Sequence, residues 1–206
     1  MSFYEDHLLP HLLHAACGTR PVSRQRARIV PQARGRVLEI GMGSGLNLPH
    51  YNPENVELVW GLEPSGAMRR KAAGPVQAAP FDVRWLDFPG EQIPLEANSA
   101  DTVVLTYTLC TIPDWRRALE QMRRVLKPDG TLLFCEHGEA PDARVRQWQQ
   151  RINPAWRQIA GGCNINRPIS ELIKQGGFAI QRIETGYLPM TPRFLGFNYW
   201  GGARVR

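Results

Sequence analysis

Short apolar runs alternate with segments of helical periodicity along most of the chain. The runs have the length and residue types of buried strands. They predict five strands, at residues 36–40, 57–62, 81–86, 101–106 and 131–136. Between several of them, apolar residues recur every three to four positions, as on the buried face of a helix. This alternation predicts a parallel sheet covered by helices on both faces.

Capping residues and turn signals set the predicted helix boundaries. Ser65 is a suitable N-cap for a helix to about residue 73, and Asp114 for a helix with Trp115, Leu119 and Met122 on one side. A turn is expected at residues 127–130, just before the fifth strand. Two further helices are predicted ahead of the first strand, at residues 3–16 and 22–33.

The remainder of the chain predicts a helical insertion and two closing strands. The insertion covers residues 142–160 and is expected to be interrupted at Pro154. A helix at 169–175 ends at two glycines. Residues 178–187 and 197–204 can form two antiparallel strands. The predicted fold class is therefore α/β, with a mostly parallel seven-stranded sheet and an antiparallel C-terminal hairpin strand.

Composition and charge narrow the functional classes. The chain has 206 residues, of which 43% are hydrophobic and 21% charged, an ordinary mixture for one globular domain. A net charge of +6 favours anionic partners, but many arginines, including Arg24, Arg26 and Arg28, alternate with apolar residues and are interpreted as solvent-facing. No apolar run reaches the roughly 20 residues of a membrane span, and the acidic N-terminal start differs from a signal peptide. A cytoplasmic location is expected.

The four cysteines are Cys17, Cys110, Cys135 and Cys163, which are far apart and form no C-x-x-C pair. Zinc sites and disulfide frameworks usually show closely and regularly spaced cysteines. The sequence therefore predicts neither a disulfide scaffold nor a metal site.

A glycine-rich turn directly follows the first predicted strand. Gly41, Gly43 and Gly45 permit positive φ angles and close approach of a ligand to the backbone. A P-loop would need a lysine after the last glycine, and a dinucleotide fingerprint would need a small residue in place of Leu46. Glu39 would repel a pyrophosphate, whereas it could orient the turn or pair with a cationic amino group. A simple turn without a ligand is the alternative.

Carboxylates also end the next two predicted strands. Glu63 lies roughly 20 residues after the glycines, where a carboxylate can accept hydrogen bonds from both hydroxyls of a ribose. Asp87 is followed by Phe88 and could accept a hydrogen bond from an adenine amino group beside an aromatic ring. Either acid alone could be a solvent-facing strand end. Together with Glu39 they favour a nucleoside site without a pyrophosphate.

Residues 36–136 resemble the class I methyltransferases that use S-adenosylmethionine (SAM), especially the branch of ubiquinone and menaquinone C-methyltransferases. The resemblance rests on residues 37–45 and 122–131, although Asp129-Gly130 stands where the family usually has Gly-Gly. It implies a Rossmann-like sandwich with SAM at the glycine turn and the sulfonium beside Thr106. The implied cofactor-binding residues are Glu39, Gly41, Gly43, Gly45, Asn47, Glu63, Pro64, Met68, Asp87, Phe88, Thr106 and Tyr107.

By this resemblance, residues 1–206 are expected to form a single methyltransferase domain. Residues 1–34 would be an N-terminal helical lid and residues 36–136 the SAM-binding core. Residues 140–175 would be a helical insertion that covers the substrate, and residues 178–206 the closing strands.

The segments after the fourth and fifth strands bear on the methyl acceptor. The Asn/Asp-Pro-Pro-aromatic motif of nucleobase methyltransferases is absent, and Cys110 lacks the preceding proline of RNA cytosine methyltransferases. Nucleic acid is therefore not an expected substrate, and Cys110 is interpreted as a small buried residue rather than a nucleophile. His137 is a candidate general base or a partner in a loop hydrogen bond. Tyr107 is the second candidate catalytic residue.

Four short segments, 109–110, 136–137, 154–156 and 162–164, resemble a subfamily whose animal members are microsomal alkyl-thiol methyltransferases. The resemblance implies methylation of a small acceptor, with a thiol as first candidate. The alternatives are N-, O- or C-methylation of a lipid amine, a quinone precursor or another metabolite, a dinucleotide-dependent oxidoreductase, and a SAM-binding module without chemistry. Contact with a membrane surface and the oligomeric state stay open. The candidate substrate-binding residues are Tyr4, Cys110, His137, Trp156, Cys163, Asn164 and Arg167.

Overall fold

The computed structural model describes residues 4–206, without the side chains of residues 5 and 6. Its strands are β1 (Gly35–Ile40), β2 (Val56–Leu62), β3 (Asp82–Leu86), β4 (Ala100–Thr106), β5 (Leu126–His137), β6 (Phe178–Tyr187) and β7 (Phe197–Val205). They form one sheet in the order β3-β2-β1-β4-β5-β7-β6. The first five strands are parallel, and β7 runs antiparallel to both neighbours. The predicted fold class is confirmed.

The helices are α1 (Leu9–Cys17), α2 (Arg20–Ile29), α3 (Gly66–Lys71), α4 (Ala73–Ala78), α5 (Trp115–Val125), α6 (Ala143–Ile159), α7 (Ile169–Gln175) and α8 (Arg193–Gly196). Both predicted caps are present. Ser65 Oγ accepts a hydrogen bond from the Met68 amide at 3.3 Å, and Asp114 Oδ1 accepts one from the Arg117 amide at 3.0 Å. Within residues 4–206, no helix has both the length and the apolar character that crossing a bilayer requires.

Side chains of the central strands alternate between the two faces of the sheet, as the period of a strand requires. On one face, Leu38, Val103 and Phe134 belong to a buried cluster that includes residues of α5 and α7. On the other face, Val37 and Val104 belong to a cluster that includes the end of α2. Because β1 and β4 are buried from both sides, their carboxyl ends are held firmly at one edge of the sheet.

The predicted interruption of the inserted helix is wrong. Pro154 lies inside α6, which is continuous from Ala143 to Ile159. A proline removes only one helical N–H, and the preceding residue anchors the helix here. Asn153 Nδ2 donates to Asn164 Oδ1 at 3.2 Å, and its Oδ1 accepts from the Ile165 amide at 2.9 Å. These bonds hold the helix against the following loop.

The turn predicted at residues 127–130 is also wrong, since these residues belong to β5. Leu126 pairs with Ala100 and Thr131 with Thr102, so four residues of β5 lie opposite a single residue of β4. The segment is therefore a bulge in the strand. An ion pair between Lys127 Nζ and Asp101 Oδ1, at 2.5 Å, holds it against β4.

The N-terminal helices differ in detail from the prediction. The helix expected at 3–16 is a π-helical turn (Tyr4–Leu8) followed by α1, and residue 3 lies outside the described residues. The helix expected at 22–33 changes after α2 into a 3₁₀ turn (Val30–Gln32) that contains a proline, which cannot donate an α-helical hydrogen bond. The helix expected from 65 to 73 is divided into α3 and α4.

Gly201 of β7 pairs with Ile183 of β6, close to a register shift between Ile180 and Arg182. A Cβ added there would overlap the Arg182 carbonyl oxygen, whereas one added at Gly202 would meet no atom nearer than 3.7 Å. We expect Gly201→Ala to lower the free energy of unfolding by about 1–3 kcal/mol, as overpacking does. Urea denaturation measures this. Gly202→Ala is the matched control, and equal midpoints for the two variants would contradict the steric argument.

Candidate active site

The glycine turn lies where the strand order reverses, between β1 and β4. Open α/β sheets bind their ligands at this position. Gly41, Gly43 and Gly45 have positive φ angles of 64°, 59° and 76°. A Cβ added at Gly41 would overlap the side chain of Thr108 in the loop after β4. The first glycine therefore lets two loops approach each other at the edge of the sheet.

Glu63 connects the turn to the end of β2. Its Oε2 accepts a hydrogen bond from the Gly43 amide at 2.9 Å, and its Oε1 accepts one from the Ser65 amide at 2.8 Å. The residue is 8% exposed, and burial raises the pKa of its carboxyl above the usual value. Each oxygen retains a lone pair that can accept a bond from a ligand hydroxyl.

Glu39 lies in a buried network behind the turn and does not line either of the two cavities described below. Its carboxylate accepts hydrogen bonds from Asn47 Nδ2 at 2.9 Å and from the Tyr51 hydroxyl at 2.7 Å. Burial outweighs these bonds and raises the pKa of Glu39 to about 7. Its contacts are those of a residue that orients the chain after the turn.

Arg26 on α2 supplies the positive charge of this network, so its interpretation as solvent-facing is wrong. Its Nη1 donates to Asn47 Oδ1 at 2.7 Å and to Thr106 Oγ1 at 2.9 Å. Among the described residues, the buried Nε has no hydrogen-bond partner, so the guanidinium retains a donor for an anionic group. A sequence signal does exist, because Arg26 follows Val22 by four residues and precedes Ile29 by three, on the apolar face of α2.

A cavity of about 250 Å³ lies beside the glycine turn. Arg26, Thr106 and Tyr107 form part of its wall, together with Met68 of α3. Helix α1 adds a mostly apolar part, made of Leu9, Pro10, Leu13 and Cys17. His14 Nδ1 on the same helix lies 2.7 Å from Ser44 Oγ in the turn. Helix α1 thus covers the first cavity and contacts the glycine turn on its opposite side through His14 and Ser44.

A second cavity, of about 200 Å³, adjoins the first one, because both are lined by Gly41, Glu63, Thr108 and Thr111. Of these two cavities, Pro64 and Phe88 line the second. The two volumes together are of the size that small-molecule sites usually have. One elongated ligand could therefore extend along the turn into both.

Asp87 does not line either cavity, unlike its neighbour Phe88. Its carboxylate forms a bidentate ion pair with Arg69, with N–O distances of 2.5 and 2.8 Å. The side chain is 62% exposed, and the hydrogen bond from Arg69 holds the pKa of Asp87 below its usual value. At this strand end the aromatic residue, rather than the acid, faces the cavity.

Tyr107 lies directly after β4 with a φ of 53°, which is uncommon for a residue other than glycine. Its hydroxyl donates to Asn198 Oδ1 of β7 at 2.8 Å. Burial raises the pKa of Tyr107 well above its usual value. A hydroxyl with this pKa and this partner is a poor general base, while its ring remains part of the cavity wall.

Glu136 at the end of β5 fixes the loop that follows Tyr107. Its Oε1 accepts hydrogen bonds from the amides of Thr108, at 2.7 Å, and Leu109, at 3.0 Å. Burial raises the pKa of this carboxyl to about 8. The carboxylate thus holds the start of the loop next to the glycine turn.

Two predicted substrate residues hold the same loop from the other side. Arg167 Nη1 donates to the carbonyl oxygens of Leu109 and Ile112, the latter at 2.8 Å. Asn164 Nδ2 donates to the Cys110 carbonyl oxygen at 2.9 Å. Both side chains bond the protein backbone and neither lines the cavities.

Tyr4 and Trp156 join the N-terminal segment and the insertion around this loop. The Tyr4 hydroxyl donates to the Ile159 carbonyl oxygen, 2.5 Å away, at the end of α6. Trp156 packs against a small buried cluster that contains Cys110 and Cys163. These two predicted substrate residues lie beside the cavities rather than in their walls.

Three further predicted residues come together behind Tyr107 and Thr111 of the first cavity's wall, although none of the three lines either cavity. The ligand-type atoms of Cys110, His137 and Cys163 all lie within 4.8 Å of one another. Cys163 Sγ is 3.2 Å from His137 Nε2. The three residues come from the loop after β4, the end of β5 and the loop after α6. Their spacing along the chain gives no sign of this cluster, because only the fold brings them together.

The chain matches the family described as "Methyltransferase domain" over residues 38–134. It is 31% identical over 176 residues to the human thiol S-methyltransferase TMT1B, and this alignment covers 80% of this chain and 71% of the relative. A phosphatidylethanolamine N-methyltransferase of Cereibacter sphaeroides is 32% identical over 123 residues, or 55% of this chain and 56% of the relative. A SAM-dependent methyltransferase of Thermotoga maritima, described as a possible histamine N-methyltransferase, shares the fold with a TM-score of 0.68 and 19% identity over 98% of both chains.

The raised pKa of Glu39 makes the stability of the fold depend on pH. Since this pKa rises from 4.5 to about 7 on folding, the folded state retains a proton that the unfolded chain loses between these values. The stabilising contribution is fully present below pH 4.5 and is lost as the pH rises through about 7. We expect the loss of this contribution to lower the free energy of unfolding by up to about 3 kcal/mol between pH 5 and pH 8. Glu39→Gln should remove this part of the dependence of the free energy on pH.

Urea denaturation of both proteins across this pH range is the measurement. Glu120→Gln, which changes an exposed carboxylate of α5, is the matched control and should retain the wild-type slope. The slope of Glu39→Gln should not reach zero, because the pKa of Glu136 is raised in the same direction. Parallel curves for the wild type and Glu39→Gln would contradict the prediction.

Proposed function

The chain belongs to the family of SAM-dependent methyltransferases, and we propose that it methylates the sulfur atom of a small, fairly apolar thiol. Its cofactor is SAM, whose sulfonium supplies an electrophilic methyl carbon. The observation that carries the choice of acceptor is the similarity to the human thiol S-methyltransferase TMT1B, which extends over most of both chains. The apolar wall that α1 adds to the cavity supports an acceptor of this kind.

The cavity residues fit the chemical groups of SAM. The unpaired buried Nε of Arg26 would bind the carboxylate of the amino-acid part. The positive-φ glycines leave the backbone at Gly41 and Gly43 free of side chains beside the cofactor. Glu63 would accept hydrogen bonds from the ribose hydroxyls, and Phe88 would contact the adenine ring in the second cavity.

The other predicted cofactor residues take supporting parts in this proposal. Asn47 and Glu39 would hold Arg26 in place through their hydrogen bonds rather than bind SAM themselves. Met68, Pro64 and Thr106 would contribute wall surface, as would the ring of Tyr107 and the backbone at Gly45. Asp87 would bind the adenine amino group only if its carboxylate turned from Arg69 or was shared with it.

Methyl transfer to a thiol requires alignment and exclusion of water more than a strong base. Arg26 and Glu63 would fix the two ends of the cofactor. The apolar side chains of α1 would keep water from the reacting atoms. A thiol ionises at only mildly basic pH, so a tyrosine hydroxyl bound to Asn198 need not act as the base. We propose that His137, beside two cysteines, helps to hold the sulfur of the acceptor rather than to take its proton.

A lipid amine is the second candidate acceptor. It is supported by the similarity to a phosphatidylethanolamine N-methyltransferase over about half of each chain. The net charge of +6 also favours contact with an anionic membrane surface. The cytoplasmic location expected from the sequence stays a prediction.

We also propose that residues 1–34 and 140–175 act together as a cover of the acceptor side. The support is their mutual contact. Tyr4 bonds the carbonyl oxygen of Ile159, and a Cβ added at Gly161 would lie 3.0 Å from the side chain of Leu9. Because Leu9 lines the first cavity, a shift of the insertion would move part of the cavity wall.

Two substitutions distinguish the proposed contacts with the amino-acid part of the cofactor from those with its ribose. Arg26→Met should weaken binding of S-adenosylhomocysteine about 10- to 100-fold, the equivalent of one charged hydrogen bond, and leave binding of methylthioadenosine unchanged, because that nucleoside lacks the amino-acid part. Glu63→Gln should weaken binding of both nucleosides by roughly tenfold. Isothermal titration calorimetry measures all four affinities.

Arg28→Met is the matched control, since Arg28 is an exposed residue of the same helix. It should bind both nucleosides as the wild type does. An equal loss of both affinities in Arg26→Met would show that the substitution disturbs the whole site and would contradict the assigned contact with the carboxylate.

An acceptor screen tests the proposed reaction. The purified chain, SAM and a panel of small thiols, lipid amines and quinols are incubated separately, and release of S-adenosylhomocysteine is followed. We expect product with apolar thiols, because the thiolate is the best nucleophile of the panel near neutral pH, and no release above a blank without acceptor for the other classes. Turnover of amines or quinols without turnover of any thiol would refute the proposal.

A further inference from the structure

Cys110, His137 and Cys163 place three soft ligand atoms around one point beside the cavity. The two sulfur atoms and a ring nitrogen lie within 4.8 Å of one another. Both cysteines are buried, and free thiols are most often buried as small apolar groups. A histidine converging on two such thiols is not needed for packing. The arrangement therefore calls for a chemical explanation.

We propose that these three residues bind a zinc ion and leave its fourth position for the sulfur of the methyl acceptor. This inference rests on the proposed function, of which it names the activating group. A site with three protein ligands and one open position is the usual composition of a catalytic zinc centre, whereas structural centres have four protein ligands. Thiolate and imidazole are the ligands that zinc prefers.

The distances agree with such a centre. Tetrahedral zinc with its usual bond lengths places two ligand sulfurs about 3.8 Å apart, and a sulfur and a nitrogen about 3.6 Å apart. The Cys163 Sγ to His137 Nε2 distance is 3.2 Å, and every pair lies within 4.8 Å. Side-chain shifts of at most about one ångström would bring the three atoms onto one ion.

The surrounding hydrogen bonds hold the ligands in place from the backbone. Asn164, next to Cys163, uses both its amide N–H and its Nδ2 to bond the Cys110 carbonyl oxygen, each at 2.9 Å. Thr111 Oγ1 lies 3.5 Å from Cys110 Sγ. Outer groups of this kind orient metal ligands and are part of most metal centres. The pairing of the two loops thus positions the two cysteines together.

The cluster adjoins the first cavity. Thr111 and Tyr107 line that cavity, and they are also neighbours of the cluster. Thr111 contacts Cys110, and the ring centroid of Tyr107 lies 6.3 Å from that of His137. A thiol bound at the fourth zinc position would therefore lie on the side where the methyl group is delivered.

Methyl transfer to a zinc-bound thiol needs no base from the protein. The acceptor R–SH binds zinc through sulfur and releases its proton to solvent, since a metal-bound thiol is deprotonated. A sulfur lone pair then forms the bond to the methyl carbon of SAM. The carbon–sulfur bond of the sulfonium breaks, and its electron pair remains on the sulfur of S-adenosylhomocysteine. The neutral thioether product is a weaker zinc ligand than a thiolate and leaves.

Metal binding is tested first, on the full chain without an affinity tag, reduced with a phosphine and freed of metal. Cobalt(II) serves as the spectroscopic probe, because thiolate ligands give it charge-transfer absorption in the near ultraviolet. We expect saturation at about one cobalt per chain, and displacement of cobalt by zinc, as for a three-ligand site. No absorption on titration would overturn the proposal. So would a reduced protein that takes up no cobalt and forms a Cys110–Cys163 disulfide in air.

Substitutions assign the ligands. Cys110→Ser and Cys163→Ser should each lower the charge-transfer absorbance by about half, since one of two cobalt–sulfur bonds is lost, and His137→Ala should weaken cobalt binding. Cys17→Ser is the matched control, because Cys17 lies outside the cluster; its cobalt spectrum should match that of the wild type. Calorimetric binding of S-adenosylhomocysteine shows that each variant is folded. Loss of the spectrum in Cys17→Ser but not in the cluster variants would refute the assignment.

The open position is tested by adding a small thiol to the cobalt-loaded protein. A third cobalt–sulfur bond should raise the charge-transfer absorbance by about half, and an unchanged spectrum would overturn the acceptor part of the proposal. The two proposals fail in different ways. Thiol methylation by a protein that binds no cobalt would refute the zinc centre alone, whereas a cobalt site in a protein that methylates only amines would refute the thiol acceptor.

Discussion

The burial of two opposite charges, on Arg26 and Glu39, is the constraint on which the site depends. A buried ion is tolerated only when hydrogen bonds replace its lost hydration. Asn47 satisfies both charges at once, by accepting from Arg26 and donating to Glu39. Thr106 brings β4 into the same network. The N-terminal helices, the glycine turn and the central strands are therefore joined through one buried polar network.

Much of the fold could be predicted because its signals are local. The strand at 36–40 is a short apolar run followed by glycines, and the structure extends it by only one residue, to Gly35. The caps at Ser65 and Asp114 needed only a side-chain oxygen three residues from a free amide. The turn after β1 could be predicted because its three glycines tolerate positive φ angles, which the structure has there. Such features depend on neighbours in the chain, so the sequence alone reveals them.

The features that escaped prediction depend on distant partners. Arg26 shares the apolar face of α2, but its partner Thr106 is 80 residues away and could not be identified from the sequence. Cys110 and Cys163 are isolated in the sequence but adjacent in space. Pro154 does not break α6, because Asn153 bonds the following loop. At Asp87, Arg69 takes the carboxylate that was expected to face a nucleoside. In each case a tertiary contact outweighed the local tendency.

The position of β7 between β5 and β6 affects how the sheet can assemble while the chain is being synthesised. β7 follows β6 in the chain, yet it lies between β5 and β6, and in the part of the chain that the structure describes β6 pairs with no other strand. Until β7 emerges from the ribosome, β5 presents an unpaired edge on which another nascent chain could pair. The same strand carries Asn198, the partner of Tyr107. β7 thus extends the sheet beyond β5 and, through Asn198, supports a residue of the cavity wall, so both features form only after β7 has been synthesised.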